Sequence, residues 1–327
     1  GMNVSVAVSY TPSDGTRNFH GAGKVQASSQ PQDMHLQRML GHLSVLAHQT
    51  PDKVKKVLVV ACGAGVTAGS FTRYPEVSNL TICELEPFIP PASNEYFGPQ
   101  NYRVKDWPKT RIVYDDARHY VFTTRDTYDV ITTDPIHPWV KGTSVLYSKE
   151  YYELVKQHLK PGGVVAQWLP IYDSDPETIQ TELATFFKVF PEGTIWSNNL
   201  KGDGYDLVLL GQATPGPIDV DALQARLDSP GYSEVLGSIG DVGFHSAVEM
   251  LATYAGRASD LRGMLSTAQI NEDLNMRLQY IAGVGLNSMA YQGIYKDILK
   301  YRRFPDGLIT GTGGRMDALR TLLSARP

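Results

Sequence analysis

The chain has 327 residues, of which 42% are hydrophobic and 20% charged, and this composition is typical of a globular protein with one large domain or two. Its net charge of -4 argues against a basic surface for nucleic acid. With two cysteines and no apolar run near the ~18 residues of a membrane helix, we expect neither a disulfide framework nor a membrane segment.

The first thirty residues predict a small β element. Residues 4–9 form a strand-like run, a Pro-Ser-Asp-Gly turn signal follows at 12–15, and residues 18–29 can return as further strand. We assign residues 1–30 to this element. Between His35 and His48 the apolar residues then recur at helical spacing.

Strands and helices alternate in the next part of the chain. The predicted strands are Val57–Val60, Leu80–Cys83, Arg111–Tyr114, Asp129–Thr133, Val164–Leu169 and Asp206–Leu210. Helical segments such as 149–159 and 176–187 separate them. This alternation predicts an α/β fold of the Rossmann-like, doubly wound type with a mostly parallel sheet, and we assign it residues 31–212.

The last third of the chain has a different pattern. A Pro/Gly-rich linker covers residues 212–219, and helical patterning follows. The helical segments are 220–227, 246–254, 274–281, 290–303 and 315–324. We therefore expect residues 213–327 to form a helical C-terminal extension.

A glycine loop follows the first strand of the α/β region. Gly63 and Gly65 allow a tight turn and close approach of the backbone to a ligand, and Glu84 ends the next strand. A carboxylate at that place can accept hydrogen bonds from a ribose diol. The pair fits a dinucleotide site and an S-adenosyl site equally well. A tight turn with a surface glutamate is the structural alternative.

Two acids follow the third strand. Asp116, with Ala117 after it, is placed to accept a hydrogen bond from an adenine amino group, as S-adenosyl sites commonly require. Aspartate also favours the N-cap of a helix, which is the alternative for Asp115 and Asp116. One of the two can cap the helix while the other binds the nucleoside.

The fourth strand delivers Asp134 into a loop in which Pro135 and Pro138 bracket His137. An amine needs a free lone pair to accept an alkyl group, yet a lysine-like amine has a pKa of about 10.4. A carboxylate held against that nitrogen can remove its proton, so we expect Asp134 to act as general base. An Asp-Pro turn is the alternative. His137 can bind a substrate, orient Asp134, or simply stabilise the loop, and no metal site is predicted.

Together these residues resemble the spermidine synthase family, the polyamine aminopropyltransferases on the class I S-adenosylmethionine-dependent methyltransferase fold. The resemblance runs from about residue 21 to 212. Its motifs are Gln26 in Gly23-Lys-Val-Gln-Ala-Ser, Met39-Leu-Gly-His42, the glycine loop, Glu84, Asp116-Ala117, Tyr128-Asp-Val-Ile with Asp134-Pro, Leu146 to Tyr152, and Leu159-Lys-Pro-Gly-Gly with Gln167-Trp168.

The resemblance implies roles for particular residues. The nucleoside-binding set is Gln26, Gly63, Gly65, Glu84, Asp116 and Ala117. Asp134 is the implied general base, and the implied substrate-binding residues are His137, Trp139, Tyr147 and Gln167. The implied co-substrate is S-adenosylmethionine or its decarboxylated form, and the implied acceptor is a small-molecule amine.

Three positions depart from the family pattern. Ala64 stands where the glycine loop normally has an acid for the donor's amino group, and His137 stands where a second aspartate binds the acceptor. Leu36-Gln37-Arg38 replaces a Tyr-His-Glu run. Each lost charged hydrogen bond is worth about 1.5–3 kcal/mol, so the donor need not be decarboxylated and the acceptor need not be putrescine.

Two other functions therefore stay open. One is methyl transfer from intact S-adenosylmethionine, since Asp134-Pro-Ile-His loosely resembles the D-P-P-aromatic signature of N-methyltransferases. The other is a non-catalytic nucleoside-binding protein on the same fold. We further expect a cytoplasmic protein that contacts no nucleic acid and no membrane through this chain, and a homodimer is an assembly that the sequence allows.

Overall fold

A computed structural model of the chain describes residues 1–134, 136–200 and 204–325, and for residue 325 only the backbone. Pro135, which the sequence analysis singled out, lies outside the described residues. The N-terminal element is a three-stranded antiparallel sheet in the order β1-β2-β3. Its strands are β1 (Val6–Tyr10), β2 (Arg17–Gly21) and β3 (Lys24–Ser28).

Within the described ranges, eight strands form the central sheet, in the order β12-β9-β10-β8-β7-β4-β5-β6. They are β4 (Lys56–Val60), β5 (Asn79–Glu84), β6 (Thr110–Tyr114), β7 (Tyr128–Thr133), β8 (Leu159–Pro170), β9 (Thr194–Asn198), β10 (Asp206–Gln212) and β12 (Tyr254–Arg257). The half from β6 to β8 is parallel, and the half from β8 to β12 is antiparallel. A separate pair, β11 (Ile218–Asp219) and β13 (Ile309–Thr310), is parallel.

Helices cover both faces of the central sheet. They are α1 (Pro31–Leu46), α2 (Val66–Phe71), α3 (Ile89–Tyr96), α4 (Gly98–Asn101), α5 (Ala117–Thr123), α6 (Lys149–Gln157), α7 (Pro176–Val189), α8 (Val220–Leu227), α9 (Ser233–Gly240), α10 (Ala247–Leu251), α11 (Arg277–Ile281), α12 (Tyr291–Leu299) and α13 (Gly313–Ala325). Side-chain caps set several starts. Ser148 accepts a hydrogen bond from the Tyr151 N–H, and Asp175 accepts from Glu177 and Thr178.

The core has two parts because successive side chains of a strand point to opposite faces of the sheet. Val57 and Val59 of β4 pack in one cluster with α1 and α2, whereas Leu58 and Val60 pack in the other with α6 and α7. A strand buried on both faces is typical of a doubly wound sheet. The predicted α/β fold is therefore confirmed.

The order of strands places a switch point at β4. After β4 the chain adds β5 and β6 on one side, and then returns to place β7 on the other side of β4. Ligands of open α/β sheets bind at the carboxyl ends of strands beside such a switch point. The glycine loop after β4 and Asp134 after β7 both lie there.

The six strands predicted from the sequence are present, but the C-terminal part is less purely helical than expected. Strand β12 joins the central sheet beside β9, and β13 pairs with β11. Neither β9 nor β12 was predicted, because each is short and lacks a long β-branched run. The division into domains at residues 30 and 212 stays a prediction.

Two searches of the described part of the chain concern membranes and metals. None of its helices combines the length and the apolar character needed to cross a bilayer. Within residues 1–134, 136–200 and 204–325, no group of three or more His, Cys, Asp or Glu side chains is arranged to hold a metal ion.

Asn271 attaches the C-terminal region to the segment before α6. Its buried amide donates to the carbonyls of Ser144 (2.9 Å) and Tyr147 (3.1 Å), and its oxygen accepts from the Leu278 N–H (3.0 Å). We predict that Asn271→Ala lowers the free energy of unfolding by about 2–4 kcal/mol, because three buried backbone groups lose their partners. Urea unfolding measures this, with the exposed Asn275→Ala as a control that should lose less than half as much. Equal losses would contradict the prediction.

Candidate functional site

The carboxyl ends of four parallel strands meet at one edge of the central sheet. The residues that the sequence analysis placed there come from four loops: Gly63 and Gly65 after β4, Glu84 at the end of β5, Asp116 after β6, and Asp134 after β7. Because β7, β4, β5 and β6 are neighbours in that order, these loops are also neighbours.

The glycine loop turns through left-handed backbone at two positions. Gly63 has φ +50° and Gly65 has φ +78°, and the Gly65 N–H donates to the Cys62 carbonyl at 2.7 Å. A Cβ at position 63 would lie 2.1 Å from the Asp134 Oδ2 atom. Only glycine therefore allows the loop and the Asp134 carboxyl to pack directly against each other.

Glu84 joins the glycine loop to the end of its own strand. One carboxylate oxygen accepts from the Cys62 N–H at 2.7 Å and the other from the Glu86 N–H at 2.9 Å. Burial raises the pKa of Glu84, and these two backbone donors oppose the rise. Each oxygen keeps a further lone pair, so the carboxylate can still accept from a ribose hydroxyl.

Asp116 caps helix α5. Its side chain accepts from the His119 N–H at 2.9 Å, and its neighbour Asp115 contacts the His119 ring at 2.8 Å. Capping was the structural alternative for this pair of acids. Asp116 is exposed and Ala117 is half-buried at the first position of the helix, so both face the open side of the sheet edge. Their adenine-binding role stays a prediction.

Asp134 is buried, with 1% of its surface exposed. Its N–H donates to the Val60 carbonyl at 2.8 Å and so extends the pairing of β7 with β4 by one residue. Among the described atoms, the Asp134 Oδ1 atom has no hydrogen-bond partner. Burial raises the pKa of Asp134 to about 8, with a smaller lowering from the Thr67 side chain and a smaller rise from the Glu84 charge. The unliganded carboxyl is therefore mostly protonated at neutral pH.

His137 lies in an aromatic box rather than beside an acid. Its ring stacks on Trp139 (centroids 5.0 Å apart) and meets Trp168 and Tyr172 edge-on at 4.9 and 5.6 Å. Its Nε2 atom lies 3.4 Å from the Tyr172 hydroxyl, and its Nδ1 atom has no partner among the described residues. Burial lowers the pKa of His137 to about 3, so the ring is neutral.

Three other predicted residues hold the site together. The Tyr147 hydroxyl donates to the Ile136 carbonyl at 2.6 Å, which ties down the loop after Asp134. The Gln167 side chain accepts from the Thr133 hydroxyl at 3.1 Å. Tyr147 and Gln167 are both fully buried, whereas Gln26 donates to the Gly21 carbonyl at 3.3 Å and faces a cavity. The substrate-binding role of Tyr147 and Gln167 stays a prediction.

The cavity beside Gln26 has a volume of about 380 Å³ and lies between the N-terminal sheet, α1 and the ends of β8 and β10. Its polar and aromatic walls include residues that the sequence analysis did not single out: Lys24, Asp33, Tyr172, Asp173, Tyr205 and Asp206. A signal was present, because Tyr-Asp stands at both 172–173 and 205–206. The rings of Tyr172 and Tyr205 stack at 4.2 Å and bring these two segments together.

Two acids of this cavity already have partners. Asp33 accepts from the Ser28 hydroxyl at 2.6 Å, and Asp206 accepts from the Trp168 indole at 2.9 Å and from Asn198 at 3.4 Å. Burial raises the pKa of both carboxyls, and for Asp206 it does so strongly. These acids are therefore weaker sources of negative charge than exposed carboxylates.

Comparison with known proteins gives a consistent family. A family model described as a spermine/spermidine synthase domain matches residues 34–194. A spermidine synthase from Dictyostelium discoideum is 30% identical over 216 residues, which are 60% of this chain and 69% of that protein. A polyamine aminopropyltransferase from Aeropyrum pernix is 29% identical over 144 residues, which are 43% of this chain and 45% of that protein.

The solved structure of spermidine synthase from Thermotoga maritima has the same fold, with a TM-score of 0.61 at 18% identity over 80% of this chain and 84% of that one. The matched lengths differ among the curated relatives. The chain spans 69% of the Dictyostelium protein but about half the length of the bacterial and archaeal aminopropyltransferases.

The raised pKa of Asp134 has a consequence for stability. A carboxyl whose folded-state pKa lies above its value in the unfolded chain takes up a proton on folding, so its stabilising contribution is lost as pH rises from about 4 to 8. We predict that Asp134→Asn removes this loss and raises the melting temperature relative to the parent by roughly a few degrees at pH 8.5 but not at pH 4. Differential scanning fluorimetry across this range measures it. A difference that stays constant with pH would contradict the prediction.

Proposed function

Because this chain belongs to the spermidine synthase family, we propose that it transfers an aminopropyl group from an S-adenosyl-type sulfonium donor to a small amine, with Asp134 as general base. The observation that carries the proposal is the buried Asp134 carboxyl, which packs on the glycine loop and has one oxygen without a partner among the described residues. The nucleoside end of the donor would lie along Gln26, the glycine loop, Glu84, and Asp116 with Ala117.

The chemistry follows from the groups present. The acceptor nitrogen attacks the carbon bonded to the sulfonium, the carbon–sulfur bond breaks, and sulfur leaves with the electron pair as a neutral thioether. The new carbon–nitrogen bond leaves an extra proton on nitrogen or on its way from it, and Asp134 accepts that proton. The sulfonium needs no acid to leave, so one carboxylate is enough.

The donor itself prepares this carboxylate. The unliganded Asp134 has a pKa of about 8 and cannot accept a proton while it is protonated. A positive sulfonium nearby favours the ionised form and so lowers the pKa of the carboxyl. The base is therefore generated by the binding of the substrate on which it acts.

Intact S-adenosylmethionine is the second candidate donor, and Ala64 is the observation that favours it. Ala64 is fully buried in the glycine loop, at the place where the family resemblance implies an acid for the donor's amino group. Without that acid, the loop does not repel the carboxylate of intact S-adenosylmethionine. Methyl transfer to an amine would use Asp134 in the same way. The cytoplasmic location stays a prediction.

Parallel assays with the two donors test the proposed function. We expect transfer of a labelled aminopropyl group from decarboxylated S-adenosylmethionine, and loss of at least ~10²-fold in kcat on Asp134→Asn, since a positioned base contributes that much. Methylthioadenosine should still bind the variant with an affinity within a few-fold of the parent, by calorimetry. Methyl transfer instead would establish the second candidate.

Asp129→Asn is the matched control, because Asp129 lies at the opposite end of the same strand β7. Its carboxylate accepts from the backbone of Lys55 and Lys56 and pairs with Lys160, away from the glycine loop. We expect this variant to lose stability but to keep its kcat. Unchanged turnover by Asp134→Asn would remove Asp134 from the chemistry, and binding without any transfer would identify a non-catalytic nucleoside-binding protein.

The pH dependence of turnover gives an independent test. We predict that kcat/KM for the donor rises through a pKa near 8, because this parameter reports the free enzyme, in which Asp134 must lose its proton. The inflection of kcat should lie at lower pH, because kcat reports the complex that contains the sulfonium. Initial rates from pH 6 to 9.5 measure both. Coincident inflections would mean that the donor does not control the ionisation of Asp134.

A further inference from the structure

The Lys24 ammonium lies in a cage built from three groups. Its Nζ atom is 2.7 Å from the Asp173 Oδ2 atom, 4.6 Å from the centroid of the Trp139 ring and 5.6 Å from that of the Tyr172 ring. A carboxylate and two aromatic faces around one cation are the arrangement by which proteins recognise alkylammonium ligands. We call Trp139, Tyr172 and Asp173 the ammonium cage.

The three cage residues come from separate loops, and one of them has unusual backbone. Trp139 follows Asp134 in the loop after β7, and Tyr172 and Asp173 follow β8. Asp173 has φ +53°, the left-handed region that few residues other than glycine adopt. Such backbone is often found where a side chain has to be aimed at a ligand. In this structure it directs the Asp173 carboxylate at the Lys24 ammonium.

The cage is continuous with the candidate site. Its two rings, Trp139 and Tyr172, are also two of the three rings around His137, at 5.0 and 5.6 Å. Lys24, Tyr172 and Asp173 line the cavity of about 380 Å³ next to Gln26. A cation in the cage is therefore separated by a single ring from the loop that carries Asp134.

We propose that the ammonium cage is a cation subsite of the acceptor pocket and that Lys24 occupies it with its own side chain, so that this protein favours a monoamine over a diamine. This inference rests on the proposed function and names the class of its acceptor. A diamine brings a second ammonium, which must either displace Lys24 from Asp173 or remain close to a like charge. A monoamine with an uncharged tail meets neither obstacle.

The rest of the cavity supports an uncharged tail. Its two other acids, Asp33 and Asp206, already accept hydrogen bonds from Ser28, Trp168 and Asn198. The remaining walls include the apolar or aromatic side chains of Leu36, Tyr205, Met289 and Tyr291. Such walls suit a hydrocarbon chain better than a second ammonium.

Lys24→Met tests the inference, because it keeps an unbranched side chain and removes the charge. Calorimetry with the full chain saturated with methylthioadenosine would compare butylamine with 1,4-diaminobutane as probes. The parent should bind 1,4-diaminobutane no more tightly than butylamine. Lys24→Met should gain about tenfold in affinity for 1,4-diaminobutane, while its affinity for butylamine changes by less than about threefold.

Two further variants show whether the cage causes the gain. Asp173→Asn in the Lys24→Met background should abolish it, because the diamine's second ammonium then has no carboxylate. Lys160→Met is the matched control for net charge, since Lys160 pairs with Asp129 at 2.8 Å at the far end of the sheet. It should leave the preference between the two amines unchanged. Lys24→Gln should act in the same direction as Lys24→Met and replaces it if that variant fails to fold.

An unchanged preference between the amines in Lys24→Met would overturn the inference and leave Lys24 and Asp173 as an ordinary ion pair. The absence of amine binding to every variant would overturn it as well. Failure of the proposed function is distinguishable, because it is measured as absent group transfer or absent methylthioadenosine binding. In the second case the amine titrations are repeated without the nucleoside, and the preference still decides.

Discussion

The direct packing of the Asp134 carboxyl on Gly63 is the contact on which the site depends. It exists because β4 and β7 are neighbours at the switch point of the sheet and because position 63 has no Cβ. The same contact excludes water from the carboxyl and raises its pKa to about 8. Fold, burial and protonation state are thus consequences of one arrangement, and a change at either residue would alter all three.

The charges around this contact are distributed in an unusual way. The place three residues after Asp134 holds a neutral, fully buried His137, which packs among Trp139, Trp168 and Tyr172. A carboxylate could not occupy such an aromatic box without a partner, since an unpaired buried charge is costly. The negative charge lies instead on Asp173, at the rim, where it faces Lys24. The loss of an acid at one position and its presence at another are therefore connected through the aromatic rings they share.

Much of the fold and part of the site could be predicted because the signals are local. Runs such as Val57–Val60 identify a buried strand by themselves, and the position of Glu84 or Asp134 at a strand end follows from the strand. The cavity could not be predicted, because Lys24 and Asp173 are 149 positions apart and meet only when the N-terminal sheet packs over the end of β8. The buried, bracing contacts of Tyr147 and Gln167 likewise depend on packing, which no spacing of residues encodes.

The protonated state of Asp134 also constrains the order of events under the proposed function. An amine that enters before the donor finds a carboxyl that is mostly neutral at pH 7 and cannot accept its proton. After the sulfonium binds, the carboxyl ionises, attracts the amine and becomes able to take the proton. Lys24 cannot replace the sulfonium in this respect, because its ammonium is already paired with Asp173 at 2.7 Å. The donor is therefore the cation that activates the base, and productive binding of the acceptor follows that of the donor.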